Sequence, residues 1–322
     1  MVSLIKQLTL HQLRIYQEVA RCLSITRAAE NLHLTQPTVS IQMKQLAEHV
    51  GLPLLEQVGK RLYLTEAGRE LLGVCRQLFD DLARFEMLVS DLQGVKTGQL
   101  RLGVITTAKY FIPRLLGAFC ERYPGVDVMM KVTNRQRLLQ RLEDNEDDLY
   151  VLGEPPDHGN VWVERFMVNP LVVIAPPTHV LAGQSSIPVA RLAGEPFLMR
   201  EQGSGTRRAM ESYFREHGCS IRVRMELGSN EAIKQAVAGG LGLAVLSAHT
   251  LALEKNTDEL AVLDVEGFPL LRHWHVMHPR EKRLSVVASS FLDFLLQESA
   301  GLGGQYLAGL PLSHSRENTG NH

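Results

Sequence analysis

The pattern of apolar and polar positions in the first 50 residues predicts three short helices. Apolar residues recur at helical spacing from Leu10 to Val19. Ser24 is a start signal for a second helix. Thr35 is placed to cap a third, with Pro37 in its first turn, where no intrahelical N–H bond is required. Two short helices joined by a tight turn, the second and third here, are typical of a helix-turn-helix.

The third predicted helix has one apolar and one polar face. Val39, Met43 and Leu46 fall four and three residues apart and form a buried stripe. A helix of this kind enters the DNA major groove, where Gln pairs with adenine, Ser or Thr meets several bases, and Lys meets phosphate. An ordinary helical hairpin with a solvated polar face is the alternative interpretation. The polar side chains are Gln36, Thr38, Ser40, Gln42 and Lys44.

The next segment favours the DNA-binding interpretation. Residues 54–56 and 59–65 are typical of a short β-hairpin, with Lys60 and Arg61 near its tip. Such a hairpin beside a helix-turn-helix forms a wing. Its two cations are suited to the phosphate backbone, a contact that salt weakens and that does not depend on base sequence.

A long amphipathic helix is predicted after Gly68. Its apolar positions form two series with seven-residue spacing, which together alternate by four and three as in a coiled coil. We interpret this helix as a dimerisation helix, although a core helix of a single chain would carry a similar stripe. The first series is Leu71, Leu78, Phe85 and Leu92, and the second is Cys75, Leu82 and Val89.

Beyond residue 98, strand-like apolar runs alternate with amphipathic helices up to about residue 298. The alternation predicts an α/β body with mostly parallel sheets. Its length of about 200 residues suits two subdomains joined by crossing strands, with a cleft between them. The predicted parts are a winged helix-turn-helix (1–65), a linker helix (66–93), a hinge (94–98), the α/β body (99–300) and a disordered tail (301–322).

Composition and charge add little to this picture. The formal net charge is −1, but residues 1–65 hold seven Lys and Arg against four Asp and Glu, which fits a DNA-binding head on an acidic body. The four cysteines are far apart and predict reduced thiols rather than disulfides or a zinc site. We find neither a secretory signal nor an apolar run long enough to span a membrane, and we expect a cytoplasmic protein.

The N-terminal part of the chain resembles the LysR-type transcriptional regulators. The resemblance rests on motifs in order over about 60 residues: residues 13–19, Ser24–Ala29, Leu34–Ser40, Leu46, Gly51–Glu56 and Leu64–Gly68. Ile41 departs from it, because many members carry Arg there, and this puts one DNA contact in doubt. The expected DNA-contacting residues are Arg27, Thr35, Gln36, Pro37, Thr38, Ser40, Gln42, Lys44, Lys60 and Arg61.

The resemblance also implies an architecture and partners. It implies an effector-binding domain (99–300) like the periplasmic binding proteins, in which subdomain I comprises about 99–168 and 270–300 and subdomain II about 169–269. It also implies a homodimer or homotetramer on a palindromic double-stranded operator, with RNA polymerase as a partner. The fold class is thus an α-helical head followed by an α/β effector domain.

Three polar segments of the body are candidates for a ligand cleft. Each lies at a predicted strand end or helix start, where free N–H groups favour an anion such as a carboxylate or phosphate. Any one of them is equally well explained as a helix cap. The candidate residues are Thr106, Thr107, Lys109, Glu201, Gly203, Ser204, Gly205, Thr206, Arg207, Ser229 and Asn230, with Thr133 and Asn134 lining the same cleft.

A narrower resemblance concerns the branch of LysR-type regulators that controls carbon-dioxide fixation. It rests on residues 106–113, Leu34–Ser40 and residues 153–156. It implies activation of Calvin-cycle genes, including those for ribulose-bisphosphate carboxylase (RuBisCO). It also implies an effector that is a phosphorylated metabolite or NADPH, without a permanent cofactor. Regulators of bicarbonate uptake or aromatic degradation remain alternatives within the family.

Other functions receive less support from the sequence. His273, His275 and His278 are close in sequence, but no carboxylate pattern completes a metal site. A solute-binding protein would need an export signal and no helix-turn-helix. For an enzyme we find no coherent catalytic set, since Gly203-Ser204-Gly205 lacks the spacing of a nucleophile elbow.

Overall fold

The computed structural model describes residues 8–59, 61–92, 97–156, 159–252 and 259–307. The chain divides into two compact units, Met1–Val89 and Ser90–His322. No helix in the described part is both long and apolar enough to cross a bilayer.

The first unit contains the three predicted helices, the hairpin and a long helix. The helices are α1 (Leu10–Cys22), α2 (Ile25–Asn31) and α3 (Gln36–Val50). The antiparallel hairpin consists of β1 (Leu55–Val58) and β2 (Arg61–Leu64), and α4 (Glu66–Leu92) follows it. Local signals start each short helix: Thr9, Ser24 and Thr35 cap α1, α2 and α3 with their hydroxyl oxygens.

The core of the first unit joins the helix-turn-helix to the beginning of α4. Tyr16 and Val19 of α1, Ala28 of α2, Val39 and Leu46 of α3, and Cys75 of α4 are all fully buried in one cluster. Leu71 and Leu78 pack against the same cluster. Half of the predicted dimer seam is therefore used within the chain, while Leu82, Phe85 and Val89 stay exposed at 39%, 63% and 36%. The side chain of Leu92, also in the predicted seam, lies outside the described ones.

Gly68 allows α4 to approach the preceding loop. A Cβ on Gly68 would lie 2.1 Å from the carbonyl oxygen of Leu54, and the Tyr16 hydroxyl donates to the Gly68 carbonyl. Gly68→Ala should therefore destabilise the first unit by about 1–3 kcal/mol, because the loop must move out of a packed core. The matched control is Gly73→Ala in the same helix, where the added methyl meets no atom within 4 Å. It should stabilise by about 0.5–1 kcal/mol. Thermal unfolding measures both, and equal effects would contradict the close approach.

The second unit is built on one mixed sheet. Among the described residues its strands run in the order β10-β6-β11-β5-β3-β4, and β9 also pairs with β6. Strands β3 (Thr97–Ile105), β4 (Gly125–Thr133) and β5 (Leu149–Leu152) are parallel. The long strands β6 (Val161–Ala175) and β11 (Leu270–Pro279) pair antiparallel, as do β9 (Ala244–Ser247) and β10 (Ala261–Leu263) with β6. The prediction of mostly parallel sheets was wrong for this central part.

The remaining elements cover the sheet or form a separate two-stranded layer. Helices α5 (Ile112–Arg122) and α6 (Arg135–Glu143) lie beside the parallel strands. Strands β7 (Pro196–Arg200) and β8 (Arg222–Leu227) are parallel, and α7 (Gly205–Glu216) and α8 (Asn230–Ala238) accompany them. Helix α9 (Val286–Leu307) closes the described chain. Short 3₁₀ helices span Ala108–Tyr110, Val189–Leu192 and Ala248–Leu251.

Two predicted boundaries differ from the structure. Strand β3 begins at Thr97 because Thr97 and Gly98 pair with β4, so these two residues are not hinge; 94–96 lie outside the described residues. Helix α9 extends to Leu307, although Gly301 and the following glycines predict a disordered tail from 301; residues 308–322 are not among those described. Strand β6 also continues through Pro170, which interrupts the apolar pattern of the sequence without ending the strand.

Candidate functional site

The outer face of α3 carries the predicted DNA contacts. Gln36 and Pro37 are exposed, and Lys44 is exposed beside Glu48, 3.9 Å away. Thr38 is half-buried, and its hydroxyl lies 2.8 Å from that of the capping Thr35. The first turn of α3 thus presents polar groups ordered by the cap.

The helix geometry corrects the predicted polar face in one respect. Ser40 and Gln42 are half-buried at the edges of the exposed face. Its middle is occupied by Ile41, which is 55% exposed, and by Gln45, which is also exposed. Sequence reasoning missed Gln45, although counting at 100° per residue away from Val39, Met43 and Leu46 locates it. Arg27 and Arg61 are exposed on α2 and β2, and Lys60 lies outside the described residues.

The second unit contains a cleft of about 570 Å³, a volume that includes open solvent outside its walls. Six predicted residues line it: Thr106, Thr107, Glu201, Ser204, Gly205 and Thr206. Leu152, Leu171 and Trp274 form an apolar part of the cleft wall. The indole of Trp274 is fully buried, and its Nε1 has no hydrogen-bond partner among the described residues.

Arg200 is the central cation of the cleft. It ends β7, is only 5% exposed, and lines the cleft. Its Nη1 donates to Asn230 Oδ1 at 2.7 Å and its Nη2 to Thr106 Oγ1 at 3.1 Å. The Glu201 carboxylate accepts from Nε and Nη2 at 2.7 and 2.9 Å. The guanidinium is therefore held rigidly by groups from three segments.

Two more arginines line the cleft, and the sequence analysis missed all three. Arg135 starts α6 and donates to the carbonyl oxygens of Glu154 and Pro155, while Arg272 of β11 lies 3.4 Å from the Glu154 carboxylate. With Glu154 and Glu201, the described lining holds three arginines and two glutamates, a net positive charge. The three arginines are absent from the predicted polar segments, so only the fold brings them together.

Other predicted cleft residues have different partners. Asn134 and Ser229 cap α6 and α8 with their side-chain oxygens, and the Thr133 carbonyl accepts from the Thr106 amide. Arg207 donates to Glu211, Glu226 and the Arg200 carbonyl. Gly203, with φ +82°, forms the turn before α7. Asn230 is buried, accepts a hydrogen bond from Arg200 and donates one to Thr107.

Lys109 lies outside the cleft lining and forms part of a link to α8. Its Nζ contacts Glu231 at 3.0 Å, and the Tyr110 hydroxyl donates to the same carboxylate. Burial alone would raise the pKa of Glu231, but the hydrogen bonds from Tyr110 and Lys109 lower it. The contacts of Lys109 and Tyr110 with Glu231 therefore join the segment after β3 to the start of α8.

The three histidines show ordinary partial burial. Burial lowers the pKa of each of His273, His275 and His278. The ring of His278 stacks on Trp162 at 5.0 Å. The described residues contain no group of three potential ligands arranged for a metal ion.

Comparison with known proteins identifies both parts of the chain. Residues 10–69 match the family of bacterial regulatory helix-turn-helix proteins of the lysR type, and residues 93–300 match the LysR substrate binding domain. The chain belongs to the LysR family of transcriptional regulators. The helix-turn-helix and the two-part α/β body are therefore the DNA-binding and effector-binding parts of a LysR-type regulator.

Several relatives within the LysR family cover nearly the whole chain. The transcriptional activator CmpR of Synechocystis is 51% identical over 90% of this chain and 95% of its own length. The RuBisCO operon transcriptional regulator of Acidithiobacillus ferrooxidans is 50% identical over 92% of this chain and 96% of its own. The resemblance to regulators of carbon-dioxide fixation is thereby confirmed.

Solved structures extend the comparison to the fold. The regulatory domain of Synechocystis CcmR, in complex with 2-PG, is 53% identical, with a TM-score of 0.61 over 63% of this chain and 98% of that one. Full-length CbnR in complex with its target DNA is 19% identical, with a TM-score of 0.65 over 90% and 99% of the two chains. CbnR shares the fold, and the predicted fold class is confirmed.

Proposed function

We propose that this LysR-type regulator controls carbon-dioxide fixation genes in response to a small phosphorylated acid bound in the cleft. The observation that carries the proposal is the buried Arg200 in a net positive cleft, in a chain about half identical to a RuBisCO operon regulator. The CcmR domain, with 53% identity, binds 2-PG, which has the phosphoryl and carboxylate groups such a cleft favours. NADPH is the alternative ligand and serves as a comparison in the test.

Two measurements test this function. Isothermal titration of the full-length protein with 2-PG and with NADPH identifies the ligand class. Footprinting on DNA upstream of the RuBisCO genes, with and without the ligand, tests the target. Saturable 2-PG binding together with a ligand-dependent footprint supports the proposal, whereas absence of either from folded protein contradicts it.

In the proposed DNA complex, α3 would contact base edges and the wing would contact phosphates. Gln36, Thr38 and Gln45 would reach base edges, while Lys44, Arg27 and the wing cations Lys60 and Arg61 would meet phosphates. Ile41 would bring an apolar side chain to the groove, a partner for a thymine methyl group. Ser40, Gln42 and Pro37 would border this surface.

Ligand control requires a difference in affinity between two states of the body. A ligand held by residues on both sides of the cleft would favour one closure of its walls. In a dimer or tetramer, closure would change the spacing of the heads and the bend of the operator, and with it access for RNA polymerase. Such a regulator acts in the cytoplasm, where its operator lies.

The exposed part of α4 supports a dimer through the linker helix. Leu82, Phe85 and Val89 form an apolar stripe on a helix whose first turns are already packed. Phe85→Glu should weaken dimerisation by about 10- to 30-fold, because a charge would replace aromatic surface that the proposed dimer buries. The control is Ala83→Glu, an exposed position about half a turn away. Analytical ultracentrifugation over a concentration series measures both, and equal dimer stability in the two variants would contradict this interface.

A further inference from the structure

Glu154 of the cleft lining joins two arginines from different elements. It follows β5, and its Oε2 accepts from Arg208 Nη2 of α7. Its Oε1 lies 3.4 Å from Arg272 Nη2 of β11. Glu154 and Arg272 both line the cleft, so this arginine is paired with a carboxylate where an anionic ligand would need it, while Arg208 holds the other oxygen of the same carboxylate.

The same carboxylate lies close to the start of α7. A Cβ built on Gly205, the first residue of α7, would be 3.6 Å from Glu154 Oε2. Ser204 precedes the helix but makes no side-chain capping hydrogen bond, unlike Asn134 and Ser229 at α6 and α8. The first N–H groups of a helix favour a negative charge. Glu154 supplies that charge beside α7.

These contacts give Glu154 the environment of a bound anion. It has two guanidinium partners and a neighbouring helix N-terminus, which are the groups that recognise phosphate and carboxylate ligands. A ligand entering the cleft meets Arg272, the start of α7 at Gly205 and the negative charge of Glu154, all of which line it. The ligand must displace this carboxylate or bear its repulsion.

We propose that Glu154 is an internal competitor that lowers the affinity of the cleft for anions and so sets the metabolite concentration to which the regulator responds. This inference rests on the proposed function, because it concerns the same cleft. Removing the charge should increase anion affinity, and the increase should grow with ligand charge, because a more highly charged ligand loses more repulsion. A phosphoryl group carries about −1.5 to −2 at neutral pH against −1 for a carboxylate.

A matched pair of variants tests this role in the full-length protein. Glu154→Gln removes the competing charge and keeps a side chain of similar shape. Glu146→Gln is the control, because Glu146 also pairs with an arginine, Arg141 at 2.6 Å, is equally accessible (35% against 32% exposed), and does not line the cleft. Circular dichroism and thermal unfolding establish that both variants fold.

Isothermal titration with 2-PG, inorganic phosphate and glycolate gives the result. For Glu154→Gln we expect about five- to tenfold tighter binding of 2-PG, a smaller gain for phosphate and the smallest for glycolate, because a charged hydrogen-bonding competitor has been neutralised. Glu146→Gln should stay within about twofold of the wild type, because neither Glu146 nor its partner Arg141 lines the cleft.

The outcomes separate this inference from the proposed function. Unchanged or weaker 2-PG binding in Glu154→Gln would show that Glu154 organises the cleft rather than competes for it, and would overturn the inference. If the wild type does not bind 2-PG, the proposed ligand is wrong, and phosphate alone then decides the role of Glu154. Tighter phosphate binding in Glu154→Gln still supports competition, and no gain for phosphate overturns it.

Discussion

Replacing Gln36 and Thr38 together with alanine is expected to weaken operator binding by about 30- to 1000-fold. Each side chain would lose base contacts worth about 1–2 kcal/mol, at the N-terminal end of α3 where a recognition helix meets base edges. Sequence preference should decline with affinity, because non-specific phosphate contacts remain. Fluorescence anisotropy with operator DNA and with a scrambled duplex measures both quantities.

The fold of the variant should be intact. Gln36 is exposed, and Thr35 caps the helix through the backbone amide of Thr38, a bond that does not use the Thr38 side chain. Lys44→Ala is the informative comparison, because loss of a phosphate contact should weaken operator and scrambled DNA about equally and reduce the salt slope by about one. If the Gln36/Thr38 double variant behaved in that same way, α3 would not read bases through its first turn.

Arg200→Gln is expected to weaken 2-PG binding by about 30- to several-thousand-fold. The buried guanidinium is the cation most completely enclosed by the cleft, and removing one partner of a buried, hydrogen-bonded charge pair costs about 2–5 kcal/mol. The body should also lose about 1–3 kcal/mol of stability, since Asn230, Thr106 and Glu201 lose donors. Titration calorimetry and thermal unfolding measure the two effects separately.

Two comparison variants make this result interpretable. Arg200→Lys keeps the charge but not the planar fork, so it should recover part of the affinity and little of the network. Arg215→Gln changes an exposed arginine of α7 outside the cleft lining and should bind 2-PG within about twofold of the wild type. Wild-type affinity in a folded Arg200→Gln protein would place the anion elsewhere.

The first unit could be predicted closely because its signals are local. Thr35 and Pro37 start α3 where the sequence indicates, and the Val39, Met43 and Leu46 stripe is buried. A cap, a turn and a 3.6-residue period depend on residues close in sequence. The same locality explains why Gln45 was recoverable in principle from the helical period.

The cleft could be predicted only in part because its cations come from distant positions. Thr106 and the segment 201–206 carry visible polar residues at strand ends, and they do line the cleft. Arg135, Arg200 and Arg272 are isolated in sequence, and β7, α6 and β11 bring them together. The long antiparallel strands were missed for a similar reason, because the partners of β6 are 70 or more residues away in β9, β10 and β11.

The packing of α4 into the core of the head has a mechanical consequence. Leu71, Cys75 and Leu78 share one buried cluster with Val39 and Leu46 of α3. Because the two helices share this buried cluster, a rotation of α4 about its axis would turn α3 with it. A rotation of α4 by a few degrees would thus reorient the recognition helix without any rearrangement inside the first unit.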